Sequence, residues 1–290
     1  MKRKILSVVL IVGLLATLIG CGSSTEKKIE DTALGSVQET ESTEEKVLRV
    51  GIECAYAPFN WVQTDESNEA VITTSNTYAN GYDVMYAKKI AEELGYTLEI
   101  HKIDWDSLIL ELQSNNIDAV ISGMCMTEER MQSVDFTTPY YYADFVVLTR
   151  GDSNYATIQS INDLSGAKMT SQMNTTWYDV LEQIEGADIQ PAMETLPASI
   201  VALSSGKVDA IVVDKPSALS AMKSNPELKM IEFEEGKGFN ISEEETNLGI
   251  AIRKDDTELK EAINDVIANI SDEERESMME KAIEIQPLSE

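Results

Sequence analysis

The 290-residue sequence has little of the chemistry on which many enzymes and nucleic-acid-binding proteins depend. It contains one histidine, three cysteines and 23 basic residues against 51 acidic residues, which gives a formal net charge of −28. So large an acidic excess repels nucleic acid and provides no basic patch to bind it. No group of Cys and His residues resembles a metal site, and a catalytic triad would have to use His101. We therefore expect no metal, no cofactor and no nucleic-acid partner.

Long hydrophobic runs are also scarce, with one exception at the start of the chain. The cationic "MKRK" is followed by the apolar run "ILSVVLIVGLLATLI", which is the layout of a secretory signal. The closing "LIGC" resembles a lipobox, so we expect residues 1–20 to be a lipoprotein signal peptide and Cys21 to carry lipid. The alternative is an uncleaved membrane anchor. No other run approaches the ~20 apolar residues of a membrane span. The sequence thus predicts an extracytoplasmic protein that is lipid-anchored to the cell membrane.

The segment from the lipidated cysteine to residue 46 has no apolar periodicity and many Ser, Thr and Glu residues. We interpret 21–46 as a flexible acidic linker. Two further cysteines, Cys54 and Cys125, stand 71 positions apart in the sequence. An exported protein permits a disulfide between them, but a single pair is not a disulfide framework. Their redox state stays open at this point.

From residue 47 onward, strand-like runs alternate with helix-like runs. "VLRVGIE", "YTLEIHKI" and "IDAVISG" are typical of strands, and "YDVMYAKKIAEELG" has helical apolar spacing and ends on Gly95. Such alternation favours an α/β fold with parallel sheets covered by helices on both faces. The segment 62–81 lacks this pattern and is interpreted as a surface insertion or hairpin.

One internal similarity indicates two related halves. "LQSNNIDAVISG" (112–123) and "LSSGKVDAIVVD" (203–214) align without gaps at an offset of 91, although two ordinary α/β units could match by chance. The two predicted strands end at Gly123 and Asp214. Ligands of open parallel sheets bind beyond the carboxyl ends of the strands. A cleft shared by both halves would suit a ligand with two opposite charges, of which an α-amino acid is the simplest.

The stretch "SGMCMTEER" follows the first of these strands and carries the chemistry for an anion. Thr127 can cap a short helix "EERMQ", and Arg130 lies one turn into that helix. A guanidinium matches a carboxylate with two parallel hydrogen bonds and stays charged when desolvated. The alternative is that Arg130 pairs with Glu128 or another acid on the surface.

From about Val47 to Gln286 the chain resembles the polar amino-acid-binding branch of the bacterial extracellular solute-binding proteins, the receptors of ABC importers. The motifs that carry the resemblance are "AYAPFNW", "GYDVMYAKKIAEELG", "WDSLILELQSNNIDAVISGM", "TEERMQSVDFTTPYY", "INDLSGAKM" and "VDAIVVDKPSA". The resemblance implies a two-lobed periplasmic-binding-protein-like α/β fold of type II, each lobe a mostly parallel sheet flanked by helices. The implied lobes are 47–147 plus 249–290 and 148–248, with hinge crossings near Phe145–Thr149 and Leu248–Ile252.

The same resemblance implies a set of ligand-binding residues. Arg130 would clasp the ligand α-carboxylate with help from the backbone at Gly123 and from Cys125, where the family usually has a hydroxyl. Thr176 would contact the same group from the second lobe, and Asn174 stands where the family usually has glycine. Asp214 would accept the α-ammonium, or it could merely cap the helix that begins "KPSA". The residues implied around the ligand side chain are Glu53, Tyr56 and Trp105.

The roles of these last three residues have alternatives. Tyr56 and Trp105 would sandwich the ligand side chain, but large aromatic residues are also common in protein cores. Glu53 falls where relatives with cationic ligands have an acid, so it favours a basic or polar amino acid; the alternative is a bond to the backbone of its own loop.

The predicted function is therefore a monomeric receptor, not an enzyme, that closes on a free amino acid and delivers it to the permease subunits of an ABC importer. The alternatives are an exported dehydratase-like enzyme of the same fold that acts on a small carboxylic acid, and a ligand-sensing subunit.

Overall fold

The computed structural model describes residues 46–287. The predicted signal peptide 1–20, the lipidation site Cys21 and all but the last residue of the predicted linker lie outside the described residues. Within 46–287, none of the helices combines the length and apolar character that crossing a membrane requires.

The described strands and helices alternate as the sequence predicts. The strands are β1 (Val47–Ile52), β2 (Ala55–Tyr56), β3 (Asn60–Gln63), β4 (Val71–Ile72), β5 (Tyr78–Asn80), β6 (Thr97–Lys102), β7 (Ala119–Val120), β8 (Asp135–Phe136), β9 (Tyr141–Tyr142), β10 (Phe145–Arg150), β11 (Lys168–Thr170), β12 (Asp188–Ile189), β13 (Ala210–Asp214), β14 (Leu228–Ile231), β15 (Asn247–Leu248) and β16 (Ala251–Ile252). The helices are α1 (Tyr82–Leu94), α2 (Leu108–Gln113), α3 (Glu128–Ser133), α4 (Thr176–Asp179), α5 (Leu196–Ser204), α6 (Lys215–Ser224), α7 (Glu243–Thr246), α8 (Thr257–Ala268) and α9 (Asp272–Ile285).

Two five-stranded sheets share one layout. The first has the order β6-β1-β7-β16-β8 and the second the order β12-β11-β13-β10-β14. In each sheet the fourth strand is antiparallel to both of its neighbours, and the other pairs are parallel. We call the part of the chain built on each sheet the first lobe and the second lobe. The predicted two-lobed α/β fold with mostly parallel sheets is confirmed.

The internal similarity at an offset of 91 corresponds to equivalent elements of the two sheets. In the first lobe α2 leads into β7, and in the second lobe α5 leads into β13; both strands are third in their sheet. Every residue of β7 and β13 is buried. Burial on both faces explains why these strands are apolar without alternation, as is typical of parallel strands covered by helices.

Short strands run side by side where the chain passes between the lobes. β9 pairs antiparallel with β15, so that Tyr141 lies opposite Leu248. The first predicted crossing falls within β10 of the second sheet, and the second falls across β15 and β16. The exact lobe boundaries at 147/148 and 248/249 stay predictions.

Local sequence signals account for several element ends. Glycines flank both ends of α1. Gly81 precedes the helix with a φ of 124°, and it has no room for a side chain because a Cβ would lie 2.3 Å from the Phe59 carbonyl oxygen. Gly95 follows the helix in the left-handed conformation and stops it, as predicted. The segment 62–81 contains the antiparallel strands β4 and β5, which pair with each other and extend the small sheet from β3.

Candidate functional site

A small cavity lies between the two lobes, and residues at the carboxyl ends of parallel strands line it. Its lining residues are Glu53, Tyr56, Trp105, Ser122, Gly123, Cys125, Arg130, Gln172, Thr175, Thr176 and Trp177. Seven of the eight predicted ligand-binding residues are among them. The eighth, Asp214, lies directly behind Tyr56. The structure therefore brings the predicted site residues together in one place.

Arg130 enters the cavity from the first turn of α3. The helix is capped as predicted, because Thr127 Oγ1 accepts a hydrogen bond from the Arg130 backbone N–H at 3.3 Å. The guanidinium donates to the carbonyl oxygen of Cys125 at 2.9 Å and to that of Asn174 at 2.8 Å. Burial lowers the pKa of Arg130, which means that its charge is poorly solvated in this position. A carboxylate in the cavity would relieve that cost.

Trp105 and Asn174 frame the guanidinium from opposite lobes. The Arg130 Cζ atom lies 5.2 Å from the centre of the Trp105 ring, within the range of a cation–π contact. Trp105 Nε1 donates to the Asn174 carbonyl oxygen at 3.2 Å, and Asn174 Nδ2 donates to Asp106 Oδ1 at 2.7 Å. Asn174 has a φ of 55°, the left-handed conformation expected where the family usually has glycine.

Cys125 and Thr176 face each other across the cavity. The Cys125 Sγ and Thr176 Oγ1 atoms are 3.3 Å apart. Burial raises the pKa of the Cys125 thiol, and the charges of Arg130 and Asp214 act on it in opposite directions. Cys54 is likewise buried, with a pKa raised to about 12 by burial. Both thiols are free, so the cysteines do not form the disulfide that the sequence left open.

Asp214 ends β13 and is completely buried. One carboxylate oxygen accepts a hydrogen bond from the Ser217 backbone N–H at 2.8 Å and thereby caps α6. The other accepts a hydrogen bond from the Tyr56 hydroxyl of the first lobe. Burial raises the pKa of Asp214, and these two hydrogen bonds act against that rise. The capping role and a position beside the cavity are thus both present.

Glu53 follows β1 and is only 5 % exposed. Its Oε1 atom accepts a hydrogen bond from Gln172 Nε2 of the second lobe at 2.8 Å. Burial raises the pKa of Glu53 to about 7, and Asp104 and Asp106 add to the rise. A buried carboxylate whose side-chain partner is a neutral amide is poised to receive a cation.

Gly123 lines the cavity, but its backbone N–H is already used in a hydrogen bond to another residue. Its φ is +60°, and a Cβ would lie 2.6 Å from the Tyr56 ring. Its backbone N–H donates to the hydroxyl of Tyr140 at 3.0 Å. The role predicted for this backbone, help in binding a carboxylate, needs that N–H as the donor and stays a prediction; the Gly123 carbonyl oxygen is an acceptor and suits an ammonium instead.

Direct side-chain contacts join the two lobes around the cavity. Each joins one residue of the first lobe to one of the second: Glu53–Gln172, Tyr56–Asp214, Trp105–Asn174, Asp106–Asn174, Cys125–Thr176 and Arg130–Asn174. All of them lie at or beside the cavity. Contacts that neither lobe could make alone stabilise the closed arrangement.

Four cavity residues were missed by the sequence reasoning: Ser122, Gln172, Thr175 and Trp177. Three of them are next to, or within a few residues of, predicted site residues, so proximity in the chain was an available signal for them. Gln172 meets Glu53 from 119 positions away, and no sequence pattern announces that pair. Among residues 46–287, no group of three or more His, Cys, Asp or Glu side chains could hold a metal ion.

A family model decides the classification. The model of the bacterial extracellular solute-binding proteins, family 3, matches residues 48–284 of this chain. The chain belongs to this family. The resemblance inferred from its motifs is thereby confirmed: the family is one of extracellular solute-binding proteins, and the named relatives are amino-acid-binding proteins of ABC transporters, not enzymes.

Relatives of known name and structure span most of the chain. The L-cystine-binding protein TcyJ of Escherichia coli K12 is 28% identical over 261 residues, covering 90% of this chain and 89% of that protein. The arginine-binding extracellular protein ArtP of Bacillus subtilis is 29% identical over 248 residues, covering 83% and 87%. The L-arginine-bound structure of the amino acid ABC transporter substrate-binding protein AbpA of Streptococcus pneumoniae superposes with a TM-score of 0.69, at 28% identity, over 82% of this chain and 94% of that one.

Proposed function

We propose that this protein is a lipid-anchored extracytoplasmic receptor that binds a free basic α-amino acid between its lobes and delivers it to an ABC importer. One observation carries the proposal. A guanidinium of the first lobe, Arg130, lines the small cavity, and a buried carboxylate of the second lobe, Asp214, lies directly behind Tyr56, which also lines it. The cavity is small and residues of both lobes line it, as befits a site for a small molecule with two charged ends.

The α-carboxylate would bind at the Arg130 end. The two guanidinium nitrogens now directed at the carbonyls of Cys125 and Asn174 form the planar fork that a carboxylate requires. Thr176 Oγ1 and the Cys125 thiol lie beside it as further donors. A thiol is a weaker donor than a hydroxyl, so Arg130 and Thr176 would carry most of the binding energy at this end.

The α-ammonium would bind at the Asp214 end. The buried carboxylate is held from both sides, by Ser217 and by Tyr56, so its oxygens are fixed in direction before the ligand arrives. Burial raises the pKa of Asp214, and a ligand cation beside it would lower that pKa again. Affinity for the ammonium should therefore fall as the pH drops through the raised pKa, because the carboxyl group then loses its charge.

The ligand side chain would extend toward Glu53. This carboxylate is buried in the cavity and its side-chain partner is the neutral amide of Gln172, which leaves its charge without a compensating cation there. Lysine, arginine and ornithine would supply one, and the Trp105 and Tyr56 rings offer flat surfaces for their alkyl or guanidinium groups. The arginine named for ArtP and for AbpA supports this choice over the cystine named for TcyJ.

Delivery would follow closure of the lobes. The paired strands β9 and β15 act as the hinge, and the contacts between the lobes hold the closed form that docks on the permease. Attachment through Cys21 would keep the receptor near that permease. Cys21→Ala should release the protein from the membrane fraction into the medium or periplasm, whereas unchanged membrane retention would contradict the lipid anchor.

A thermal-shift screen of the twenty amino acids, ornithine, citrulline and cystine tests the proposal. Ligand at 100 times its Kd stabilises a protein by about 2.7 kcal/mol, so even modest binding raises the melting temperature. We expect the largest shifts with arginine, lysine and ornithine, and we expect the Arg130→Ala variant to lose them. A screen in which no amino acid shifts the wild-type protein would refute amino-acid binding; a shift with cystine alone would refute only the preference for basic side chains.

A further inference from the structure

A third buried carboxylate, Asp83, is not among the residues that line the cavity and has no part in the ligand contacts described above. It stands in the first turn of α1 and is completely buried. Its Oδ1 accepts a hydrogen bond from the Tyr140 hydroxyl at 2.7 Å, and its Oδ2 accepts one from Asn60 Nδ2 at 2.7 Å. Burying a carboxylate costs free energy unless its hydrogen bonds compensate for lost hydration, so its presence calls for an explanation.

The Tyr140 hydroxyl connects Asp83 to the cleft. It donates its single proton to Asp83 and accepts a hydrogen bond from the Gly123 backbone N–H at 3.0 Å. Because the proton is committed to Asp83, the oxygen lone pairs are available to Gly123. The Tyr140 ring is fully buried beside Tyr82 and Tyr86, with ring centres 6.0 Å and 5.1 Å away, so the hydroxyl has little freedom to move.

Gly123 lies against the Tyr56 ring, and Tyr56 bonds to Asp214. Gly123 is so close to the Tyr56 ring that an added Cβ would lie 2.6 Å from it. Tyr56 donates its hydroxyl hydrogen bond to Asp214. A shift of the Gly123 backbone would therefore displace the Tyr56 ring and with it the hydroxyl that orients the Asp214 carboxylate.

The Tyr140 main chain is anchored next to the hinge. Its N–H donates to the Leu248 carbonyl oxygen of β15 at 2.9 Å. Its own carbonyl oxygen accepts from the Arg275 guanidinium of α9 at 2.9 Å and from the Tyr82 hydroxyl at 3.1 Å. The hydroxyl that holds Gly123 is thus fixed by α1, α9 and the hinge strand together.

We propose that Asp83 is a positioning residue for amino-acid binding. Through the Tyr140 hydroxyl it holds the Gly123 backbone, and through Tyr56 it keeps Asp214 in the geometry that receives the ligand ammonium. This inference rests on the proposed function of the cavity and assigns a role in it to a residue that touches no ligand.

The first test measures Kd values for L-arginine and L-cystine by calorimetry, far below the melting temperature. Tyr140→Phe keeps the aromatic ring and removes the hydroxyl that connects Asp83 to the Gly123 N–H. We expect binding to weaken about 3- to 10-fold, which corresponds to the loss of one hydrogen bond. Tyr178→Phe is the matched control, because it removes the hydroxyl of a second-lobe tyrosine that donates to the Gln190 carbonyl oxygen at 2.9 Å and not to Tyr140. We expect it to leave the Kd unchanged. Equal Kd values for Tyr140→Phe and the wild type would overturn the proposal.

A double-mutant cycle separates positioning from a general loss of packing. Asp83→Ala combined with Tyr140→Phe should bind no more weakly than Asp83→Ala alone, since both changes break one link. If the increase in Kd of the double variant equals the product of the increases in the two single variants, Asp83 and Tyr140 act independently and the proposal is contradicted. Asp83→Asn should restore most of the affinity lost in Asp83→Ala, because the side-chain carbonyl of the new asparagine can still accept the hydrogen bond from Tyr140. Its amide group can donate to Asn60 Oδ1, an atom without a partner in the wild type, once the Asn60 side-chain amide turns over. Failure of this rescue would count against the role.

The second test needs no ligand. The Gly123 amide signal in a proton–nitrogen NMR spectrum should move in Tyr140→Phe and in Asp83→Ala and stay in place in Tyr178→Phe. An unmoved Gly123 signal in the first two variants would refute the link. If no amino acid binds the wild type in the thermal-shift screen, the proposed function fails, and this signal still decides whether Asp83 positions Gly123.

Discussion

Replacement of Glu53 by glutamine should stabilise the ligand-free protein at high pH and not at low pH. Glu53 is 5 % exposed, and its pKa is raised from an ordinary value of 4.5 to about 7 by burial. A folded-state pKa above the unfolded one means that the folded protein binds more protons between these two values. Stability therefore falls as the pH rises through this window. At about 1.4 kcal/mol per pH unit, the difference corresponds to about 3 kcal/mol once the pH exceeds 7.

Glutamine at position 53 avoids the loss of stability that ionisation of Glu53 causes, because glutamine does not ionise. Its side-chain carbonyl can still accept the hydrogen bond from Gln172. We expect Glu53→Gln to match the wild type near pH 4, below the unfolded pKa, and to be about 3 kcal/mol more stable at pH 8, measured by urea denaturation without ligand. Asp83, whose pKa is also raised to about 7, is present in both proteins and cancels in the comparison. Glu235→Gln, at an exposed position, is the matched control and should show no such pH dependence. Parallel pH profiles for wild type and Glu53→Gln would refute the reasoning.

Three further predictions concern the remaining cavity residues, each measured by calorimetry with L-arginine. Arg130→Ala should retain the fold and weaken binding at least about 30-fold, because removing one partner of a buried charge pair costs about 2–5 kcal/mol; undiminished affinity would contradict the carboxylate assignment. Asp214→Asn should keep α6 capped, since asparagine is also a good cap, yet bind amino acids far more weakly than the wild type while binding deaminated analogues equally well. An equal loss for both ligand types would refute the ammonium role. Cys125→Ser should tighten binding about 3- to 10-fold because a hydroxyl is a better donor than a thiol; weaker binding would show that the thiol contributes in another way.

The parts of this site that could be predicted depend on local sequence. Thr127 caps α3 and sets Arg130 one turn into it, and this arrangement follows from residues three apart in the chain. The equivalence of α2–β7 and α5–β13 follows from the repeated sequence, and the carboxyl ends of those strands lead to Gly123 and Asp214. The resemblance to a known family supplied the remaining positions, and the structure gathers them around one cavity.

The parts that could not be predicted depend on partners far away in the chain. Gln172 reaches Glu53 across 119 positions, and Asp83 reaches Tyr140 across 57. An acid in the first turn of a helix is ordinarily read as a favourable partner of the helix dipole on the surface, so nothing local indicates that Asp83 is buried. Tyr56 was expected as a flat aromatic surface, whereas its hydroxyl bonds to Asp214 across the cleft. Side-chain polarity alone does not specify which buried groups meet.

The central claim, that Arg130 and Asp214 receive the two charged ends of one amino acid, is tested most directly with ligands that lack one end. Calorimetry of the wild-type protein would compare L-arginine with agmatine, which has no α-carboxylate, and with 5-guanidinopentanoic acid, which has no α-ammonium. We predict that each analogue binds at least about 30-fold more weakly than L-arginine, because it leaves either Arg130 or Asp214 buried without its counter-charge. Binding of either analogue as tightly as L-arginine would contradict the claim.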